Sequence, residues 1–231
     1  MHSRFVSISG CPAAPDVAVV IDVLRAFTTA AWAFELGVER IVLTDDLDEA
    51  LRLKARLPGA LAMKDGEPEP GFDLTNSPAQ LRRRDDLAGK TIVQRTTHGT
   101  IGAVAARNAK ELFCSAFTTA RATAEAIRRH GLEDVCFVVT GDDGKAEEDL
   151  ACAEYIAALL DDPEASPEPF LARVGASQAA ARIRRLLSEG ARGFDPGDIA
   201  LCSEADRFCF VMCASEEDGL LVLRRVAVSL T

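Results

Sequence analysis

Long hydrophobic runs are missing from this 231-residue sequence, and none of its apolar stretches is long enough to span a bilayer. The first ten residues, MHSRFVSISG, are too short and too polar for a secretion signal. Basic residues are in the minority, since 26 Lys and Arg against 36 Asp and Glu give a net charge of −10. We therefore expect a cytoplasmic protein without membrane or nucleic-acid partners, because nucleic-acid binding needs a basic surface.

Cysteine motifs and histidines are also scarce. The seven cysteines include no CxxC pair, and most lie within apolar runs such as DVCFVV (134–139). Reduced, mostly buried thiols are expected, and neither a disulfide framework nor a zinc site is indicated. Of the three histidines, His98 alone lies in a candidate site loop, because His2 is terminal and His130 lies at a predicted helix end.

What the sequence does contain is a repeated succession of apolar run, short polar loop and helical stretch. Strands of continuous apolar residues that alternate with helices indicate a mostly parallel sheet covered on both faces. The predicted strands are VAVVID (17–22), RIVLT (40–44), ALAMK (60–64), TIVQR (91–95), ELFCSAF (111–117) and DVCFVVT (134–140). We predict an α/β fold with three layers, α/β/α, around a mostly parallel, mixed sheet.

The pattern changes after about residue 160. GASQAAARIRRLLSEG (175–190) predicts one helix, and PGDIALCSE (196–204) predicts a short helix capped by Asp198. Two apolar runs, RFCFVMC and GLLVLRRVAV, flank ASEEDG and predict an antiparallel hairpin, either at the edge of the same sheet or in a small second lobe. We expect a single domain over residues 1–231, with 1–130 and 131–231 as candidate sublobes.

Asp22 ends the first of the predicted strands, and Arg25 lies at the start of the following helix. Ligands bind beyond the carboxyl ends of the strands in open parallel sheets. A helix N-terminus with an arginine suits a phosphate or a sulfonate. Asp22 could ligate a metal, act as a nucleophile or act as a base. The structural alternative is that Asp22 caps the helix and pairs with Arg25.

The loop TTHGT (96–100) lies between a predicted strand and a predicted helix. Its small residues let the backbone approach a ligand, and its hydroxyl and N–H groups can hold an anion. The GK[ST] ending of a P-loop is absent. His98 could bind an anion or donate a proton. The alternative is an ordinary strand-to-helix turn capped by threonine.

Two further loops supply candidate ligands. GDDGKAEED (141–149) places five carboxylates within nine residues after a strand, which suits a hard cation such as Mg²⁺. The alternative is a solvated acidic loop that favours a helix N-terminus. DGEPEPGFDLTNSP (65–78) is long and irregular, as functional loops often are, or it is a simple surface excursion. Its polar candidates are Glu67, Asn76 and Ser77.

Taken in order, these segments resemble the 2-phosphosulfolactate phosphatase (ComB-like) family. The matching segments span residues 17–210 and are VVIDVLRAFTTA, GEPEPGFDLTNSP, KTIVQRTTHGTIGAV, LFCSAFTTA, EEDLACAEYIAALL and GDIALCSEADRF. Phe27 stands where the family usually has a small hydroxyl residue, and His98 stands where it usually has Asn. The stretch between Glu67 and Gly71 is also shorter than in the family.

The resemblance implies a Mg²⁺-dependent phosphatase that converts 2-phosphosulfolactate to sulfolactate and phosphate, as in coenzyme M biosynthesis. A small phosphorylated molecule is then the expected partner, and a homodimer is left open. By matching positions, catalysis is assigned to Asp22, Arg25, Thr97 and Cys152, and His98 is added as a catalytic candidate from its place in the TTHGT loop. Metal binding is assigned to Asp22, Glu67, Glu148 and Asp149. Substrate binding is assigned to Arg25, Thr28, Asn76, Ser77, Gly99, Thr100 and Ser115.

Two other functions stay open at this point. One is a cysteine hydrolase of the isochorismatase type, because Cys152 lies near a predicted helix start, where a thiolate is favoured. The lysine partner of such an enzyme is not evident. The other is an anion-binding homologue without turnover, which the departures at Phe27 and His98 suggest.

Overall fold

The computed structural model describes residues 2–131 and 134–228, and the strands within those ranges form one hydrogen-bonded sheet. In chain order these strands are β1 (His2–Val6), β2 (Val17–Ile21), β3 (Arg40–Thr44), β4 (Leu61–Lys64), β5 (Leu74–Thr75), β6 (Thr91–Arg95), β7 (Glu111–Ser115), β8 (Asp134–Val139), β9 (Phe210–Glu217) and β10 (Leu220–Ala227). Across the sheet the order is β1-β8-β2-β7-β9-β10-β3-β6-β4-β5.

Helices connect most of these strands and pack around the sheet. They are α1 (Ala26–Glu35), α2 (Leu47–Arg56), α3 (Pro78–Leu81), α4 (Gly99–Ala105), α5 (Ala120–His130), α6 (Glu147–Asp161), α7 (Glu168–Ala176), α8 (Gln178–Ser188) and α9 (Asp198–Cys202). In the part of the chain that the structure describes, no helix is long and apolar enough to cross a bilayer.

The α/β class predicted from the sequence is confirmed, with a mixed and mostly parallel sheet. Strands β2, β3 and β6 begin and end within one residue of the predicted runs. All five residues of β2 are buried, as expected for a central strand of a parallel sheet that is covered on both faces.

The C-terminal hairpin lies in the middle of the sheet, so its predicted place at an edge or in a second lobe is wrong. β9 pairs with β7 and β10 pairs with β3, both antiparallel. Apolar residues such as Met212 and Leu223 are fully buried there, which explains why the ribbon is central. The edges are instead β1, whose polar HSRFV segment was not predicted as a strand, and the two-residue β5. Short or polar strands are the usual edges of a sheet.

The central hairpin divides the sheet into two parallel halves that run in opposite directions. One half is β1, β8, β2 and β7, and the other is β3, β6, β4 and β5. In a flat sheet the carboxyl ends of the strands in the two halves would point in opposite directions. Five strand-to-strand steps separate β2 from β6, and a twist of about 20–25° per step turns β6 by roughly 100–125° relative to β2. This twist accounts for the meeting of the loops that follow β2 and β6.

Helix α4 occupies the place where the two halves meet, and it lies against β2, β3 and β6. Its small residues make this close approach possible. A Cβ atom added to Gly102 would lie 2.8 Å from Thr140 Cγ2 and 2.9 Å from Val20 Cγ1. The segment TIGAVA therefore does more than form a helix, because it lets two distant parts of the sheet share one site.

The helix predicted over 175–190 is interrupted at Ser177. This residue ends α7 and caps α8, because its hydroxyl accepts a hydrogen bond from the Ala180 backbone N–H at 3.2 Å. A serine side chain favours the start of a new helix over continuation of the preceding one. The break gives α8 its own N-terminus.

Gly102→Ala is expected to destabilise the protein, although alanine is the better helix former. The added methyl group would overpack the contact with β2, which costs about 1–3 kcal/mol. Urea unfolding measures the change. Gly175→Ala is the matched control, because a Cβ in that part of α7 would lie 3.8 Å from its nearest neighbour. The control should gain up to about 1 kcal/mol, and equal stabilisation of both variants would contradict the close packing of α4.

Candidate active site

A cavity of about 770 Å³ lies where β2, β4, β6 and β8 end. Its wall includes Asp22 after β2, Asp65 after β4, Thr97 after β6 and Thr140 after β8. Both halves of the sheet thus contribute strand ends to one site. The expectation that the chemistry gathers beyond the carboxyl ends of the strands agrees with this position.

Four helices also begin at this cavity. Arg25 precedes α1, His98 precedes α4, Ala146 precedes α6, and Gln178 opens α8; all four line the cavity. The free N–H groups and the partial positive charge of a helix start favour bound anions. The cavity is therefore suited to a negatively charged ligand although the chain as a whole is acidic.

Asp22 lies at the centre of this arrangement and is only 7% exposed. Its Oδ1 accepts a hydrogen bond from the Ala26 backbone N–H at 2.9 Å, so the predicted cap of α1 is present. Gly99 packs against the same carboxylate, because a Cβ there would lie 2.7 Å from Asp22 Oδ2. Burial, followed by the charges of Asp65 and Glu148, raises the pKa of Asp22 to about 7.

Asp65 lines the cavity but is not among the site residues predicted from the sequence. Its Oδ1 accepts a hydrogen bond from Asn76 Nδ2 at 2.7 Å, and its Oδ2 accepts one from the Thr97 backbone N–H at 2.5 Å. Asn76, predicted to bind substrate, holds this carboxylate instead. The signal was available, since Asp65 directly follows a predicted strand in the same way as Asp22.

Glu148 and Asp149 lie together in the first turn of α6 and both line the cavity. Asp149 links α6 to the loops after β2 and β8, because it accepts hydrogen bonds from the Val23 N–H at 2.8 Å and the Gly141 N–H at 3.0 Å. Burial and then Asp22 and Glu148 raise the pKa of Asp149 well above its usual range. Burial also raises the pKa of Glu148, while the Ser177 hydroxyl before α8 opposes this rise.

The structural alternative required an ion pair between Arg25 and Asp22, and this pair is not formed. Its Nη1 donates to Asp198 Oδ2 at 2.6 Å and to the Gly193 carbonyl at 3.0 Å, and its guanidinium lies 4.1 Å above the centre of the Phe194 ring. Asp198, predicted only as a helix cap, is thus the buried counter-ion of Arg25. Its other oxygen accepts a hydrogen bond from Ser77 Oγ at 2.6 Å.

Several predicted substrate-binding hydroxyls are buried behind the cavity wall and bond to the protein itself, and their contact with a substrate stays a prediction. Thr28 donates to the Val23 carbonyl, and Thr100 exchanges hydrogen bonds with Thr96 across the start of α4. Ser115 bonds to the hydroxyls of Thr119 and Thr123. With Ser77, these residues hold the loops in place, and none of them lines the cavity.

Glu67 and Cys152 also lie apart from the cavity. The Glu67 carboxylate accepts hydrogen bonds from the backbone N–H and the Nε of Arg192, which lower its pKa. Cys152 is fully buried, and burial, followed by Asp149 and Asp206, raises the pKa of its thiol well above the usual range. This is the opposite of what a nucleophilic thiolate requires.

The two positions that depart from the family pattern have different environments. Phe27 is fully buried in the core, whereas Thr97 and His98 are exposed to the cavity at the start of α4. The Phe27 departure therefore concerns packing, and only His98 can meet a ligand.

Three cationic residues of the cavity wall were not predicted as site residues from the sequence. Lys145 lies in the loop before α6, and Arg182 and Arg185 lie on one face of α8. The pattern of residues 175–190 predicts a helix but does not by itself indicate a site. The signal was the spacing of three between the two arginines, which places them on the same side of a helix.

Comparison with known proteins gives consistent matches over nearly the whole chain. A family model described as 2-phosphosulpholactate phosphatase matches residues 7–217. A probable 2-phosphosulfolactate phosphatase of Bacillus subtilis is 31% identical over 219 residues, which cover 92% of this chain and 93% of the relative. One from Prochlorococcus marinus is 33% identical over 86% of this chain and 89% of its own length. One from Deinococcus radiodurans is 38% identical over 64% of each chain.

Asp198→Ala is expected to lower the free energy of unfolding by about 3–5 kcal/mol, because it leaves the buried Arg25 guanidinium without its counter-ion. Chemical denaturation measures this loss. Glu216→Gln is the control, since it breaks the exposed pair between Glu216 and Arg107 and should leave stability unchanged. Equal effects of the two substitutions would show that the Arg25–Asp198 pair does not hold the site together.

Proposed function

Given that the chain belongs to the 2-phosphosulpholactate phosphatase family, we propose that it hydrolyses 2-phosphosulfolactate to sulfolactate and inorganic phosphate with Mg²⁺ as cofactor. The observation that carries this proposal is the cluster of buried carboxylates around Asp22, which faces a cavity where four helices begin. Helix starts attract a phosphate group, while crowded carboxylates attract a cation. Phosphoryl transfer assisted by a metal ion uses both features.

The residues of the cavity fit a magnesium ion by their chemistry. Asp22, Asp65 and Glu148 offer oxygen atoms, and the mutual repulsion of the carboxylates is part of what raises the pKa of Asp22. Within residues 2–131 and 134–228, no three acidic, histidine or cysteine side chains form a ready metal cage. Mg²⁺ needs only one or two carboxylates, because waters and substrate phosphate complete its shell. We propose Asp65 as a metal ligand in place of Glu67, to which the family resemblance assigned that role.

When bound, Mg²⁺ supplies charge neutralisation and polarises the phosphoryl oxygens. The chain's own groups do the positioning. The helix starts next to Asp22 and His98 hold the phosphate, and Asp149 fixes the loops after β2 and β8 through its two backbone hydrogen bonds. Asp22 is placed to accept, at its carboxylate, the proton of the attacking water as the bond between phosphorus and the sulfolactate oxygen breaks, and the departing oxygen takes a proton from solvent.

The other functions considered from the sequence gain no support from the geometry. Cys152 is buried outside the cavity, which disfavours a cysteine hydrolase. Phe27 is a core residue, which removes one of the two reasons for a homologue without turnover. A place in coenzyme M biosynthesis stays a prediction.

Metal removal gives the first test of the proposal. Purified protein should release phosphate from 2-phosphosulfolactate, and excess EDTA should slow this release by roughly 100-fold or more. Added Mg²⁺ should restore the rate. Full activity in EDTA would remove the metal from the mechanism, and no phosphate release in Mg²⁺ would overturn the proposed function.

Asp22→Asn should lower kcat by about 100- to 10,000-fold, because it removes the proton acceptor. The melting temperature at pH 8 should stay equal or rise. The folded-state pKa of Asp22 lies above its unfolded value, so at that pH the ionised carboxylate destabilises the fold and a neutral side chain relieves the repulsion. Steady-state kinetics and thermal unfolding check the two effects.

Asp143→Asn is the matched control for this substitution. Asp143 lies in the acidic loop 141–149, next to the cavity but outside its wall, and asparagine tolerates its φ of 50°. It should leave kcat unchanged. If Asp22→Asn kept the wild-type kcat, or lost activity only through unfolding, Asp22 would have no part in the chemistry.

A further inference from the structure

The cationic wall of the cavity has no role in the hydrolysis described above. Arg25 is the only arginine or lysine among the site residues predicted from the sequence, and its charge is already balanced by Asp198. Lys145 and Arg182 differ from Arg25, because neither forms an ion pair with a carboxylate among the described residues. Two solvent-accessible cations without a carboxylate partner in the described part of the chain therefore line a cavity whose wall also carries six carboxylates, and they are available to an anionic ligand.

Helix α8 presents its arginines unequally. Arg182 and Arg185 line the cavity, whereas Arg184 points elsewhere and donates from Nη2 to the Gly175 carbonyl at 2.9 Å. Arg185 has only a loose contact with Glu189, 3.8 Å away on the same helix. The cavity face of α8 is therefore positively charged in a chain whose net charge is −10.

The distance along α8 separates these cations from the acidic centre. The helix begins with Gln178, directly after Ser177, which lies next to Glu148. Arg182 is four residues further on, about 6 Å along the axis at 1.5 Å per residue. A ligand whose phosphate lies near Asp22 therefore shares its cavity with Arg182 and Lys145, which can meet a second anionic group of that ligand.

The proposed substrate has such a group. 2-Phosphosulfolactate carries its phosphate and carboxylate on one carbon and its sulfonate on the next. The sulfonate is permanently charged and has three oxygens, and a guanidinium can bind such an oxyanion through two parallel hydrogen bonds. Six carboxylates already line the cavity, so without cations on this wall the sulfonate would be repelled.

We propose that Arg182 and Lys145 form a second anion subsite, which binds the sulfonate of the substrate and sets the enzyme's preference for sulfonated over plain phosphoesters. Arg185 extends the same positive face. The subsite rests on the proposed function, since that function places a phosphate at Asp22. In this proposal, α8 takes part in substrate selection, and the residues around Asp22 carry out the hydrolysis.

The test compares 2-phosphosulfolactate with 2-phospholactate, which has the same skeleton without the sulfonate. In Arg182→Gln, the ratio of kcat/KM for the two substrates should fall roughly 10- to 100-fold, as expected for loss of one charge-assisted contact. The change should appear mainly in KM for the sulfonated substrate. Arg184→Gln is the control on the same helix, and its ratio should equal that of the wild type.

Calorimetric binding of sulfolactate separates failure of the subsite from failure of the proposed function. Wild type should bind sulfolactate, and Arg182→Gln should bind it 10- to 100-fold more weakly. If Arg182→Gln binds as tightly as wild type, if Arg184→Gln loses as much, or if wild type does not bind, the subsite is overturned. If binding depends on Arg182 but no 2-phosphosulfolactate is hydrolysed, the subsite stands and the proposed function fails.

Discussion

The structure depends on the enforced proximity of four carboxylates, those of Asp22, Asp65, Glu148 and Asp149. Burial raises the pKa of Asp22 and Asp149 most, and repulsion from the neighbouring carboxylates raises it further. The chain tolerates this repulsion because backbone N–H groups hold the oxygens in position. Asp22 is bound by Ala26, Asp65 by Thr97, and Asp149 by Val23 and Gly141. The interactions that fix the loops to the sheet are therefore the same ones that build the site.

The topology of the sheet explains how these four residues come together. They follow strands from two halves that run in opposite directions, with the C-terminal hairpin between them. The twist of the sheet and the small residues of α4 allow the loops after β2 and β6 to touch. The hairpin thus affects the site from a distance, because it sets the relation between the halves without contributing a residue to the cavity wall.

Local patterns in the sequence predict the elements well and their arrangement poorly. The continuous apolar runs of β2, β3 and β6 predict where these strands begin and end, and Asp22 is recognisable as an acidic residue at the end of a strand. The position of the hairpin depends on pairing partners more than 90 residues away, which no local pattern encodes. The same holds for the Arg25–Asp198 pair, whose members are 173 residues apart. Buried hydroxyls such as Ser115 and Thr100 share motifs with the site, yet motifs do not show which side of a loop faces the ligand.

The crowded carboxylates around Asp22 destabilise the fold, and a bound cation would relieve their repulsion. The most direct measurement is the melting temperature of wild type and Asp22→Asn as MgCl₂ is raised at constant ionic strength. A cation that binds the folded state should raise the wild-type melting temperature steadily with concentration, and it should raise that of Asp22→Asn much less. A wild-type melting temperature that does not respond to Mg²⁺, or an equal rise in both proteins, would contradict the claim.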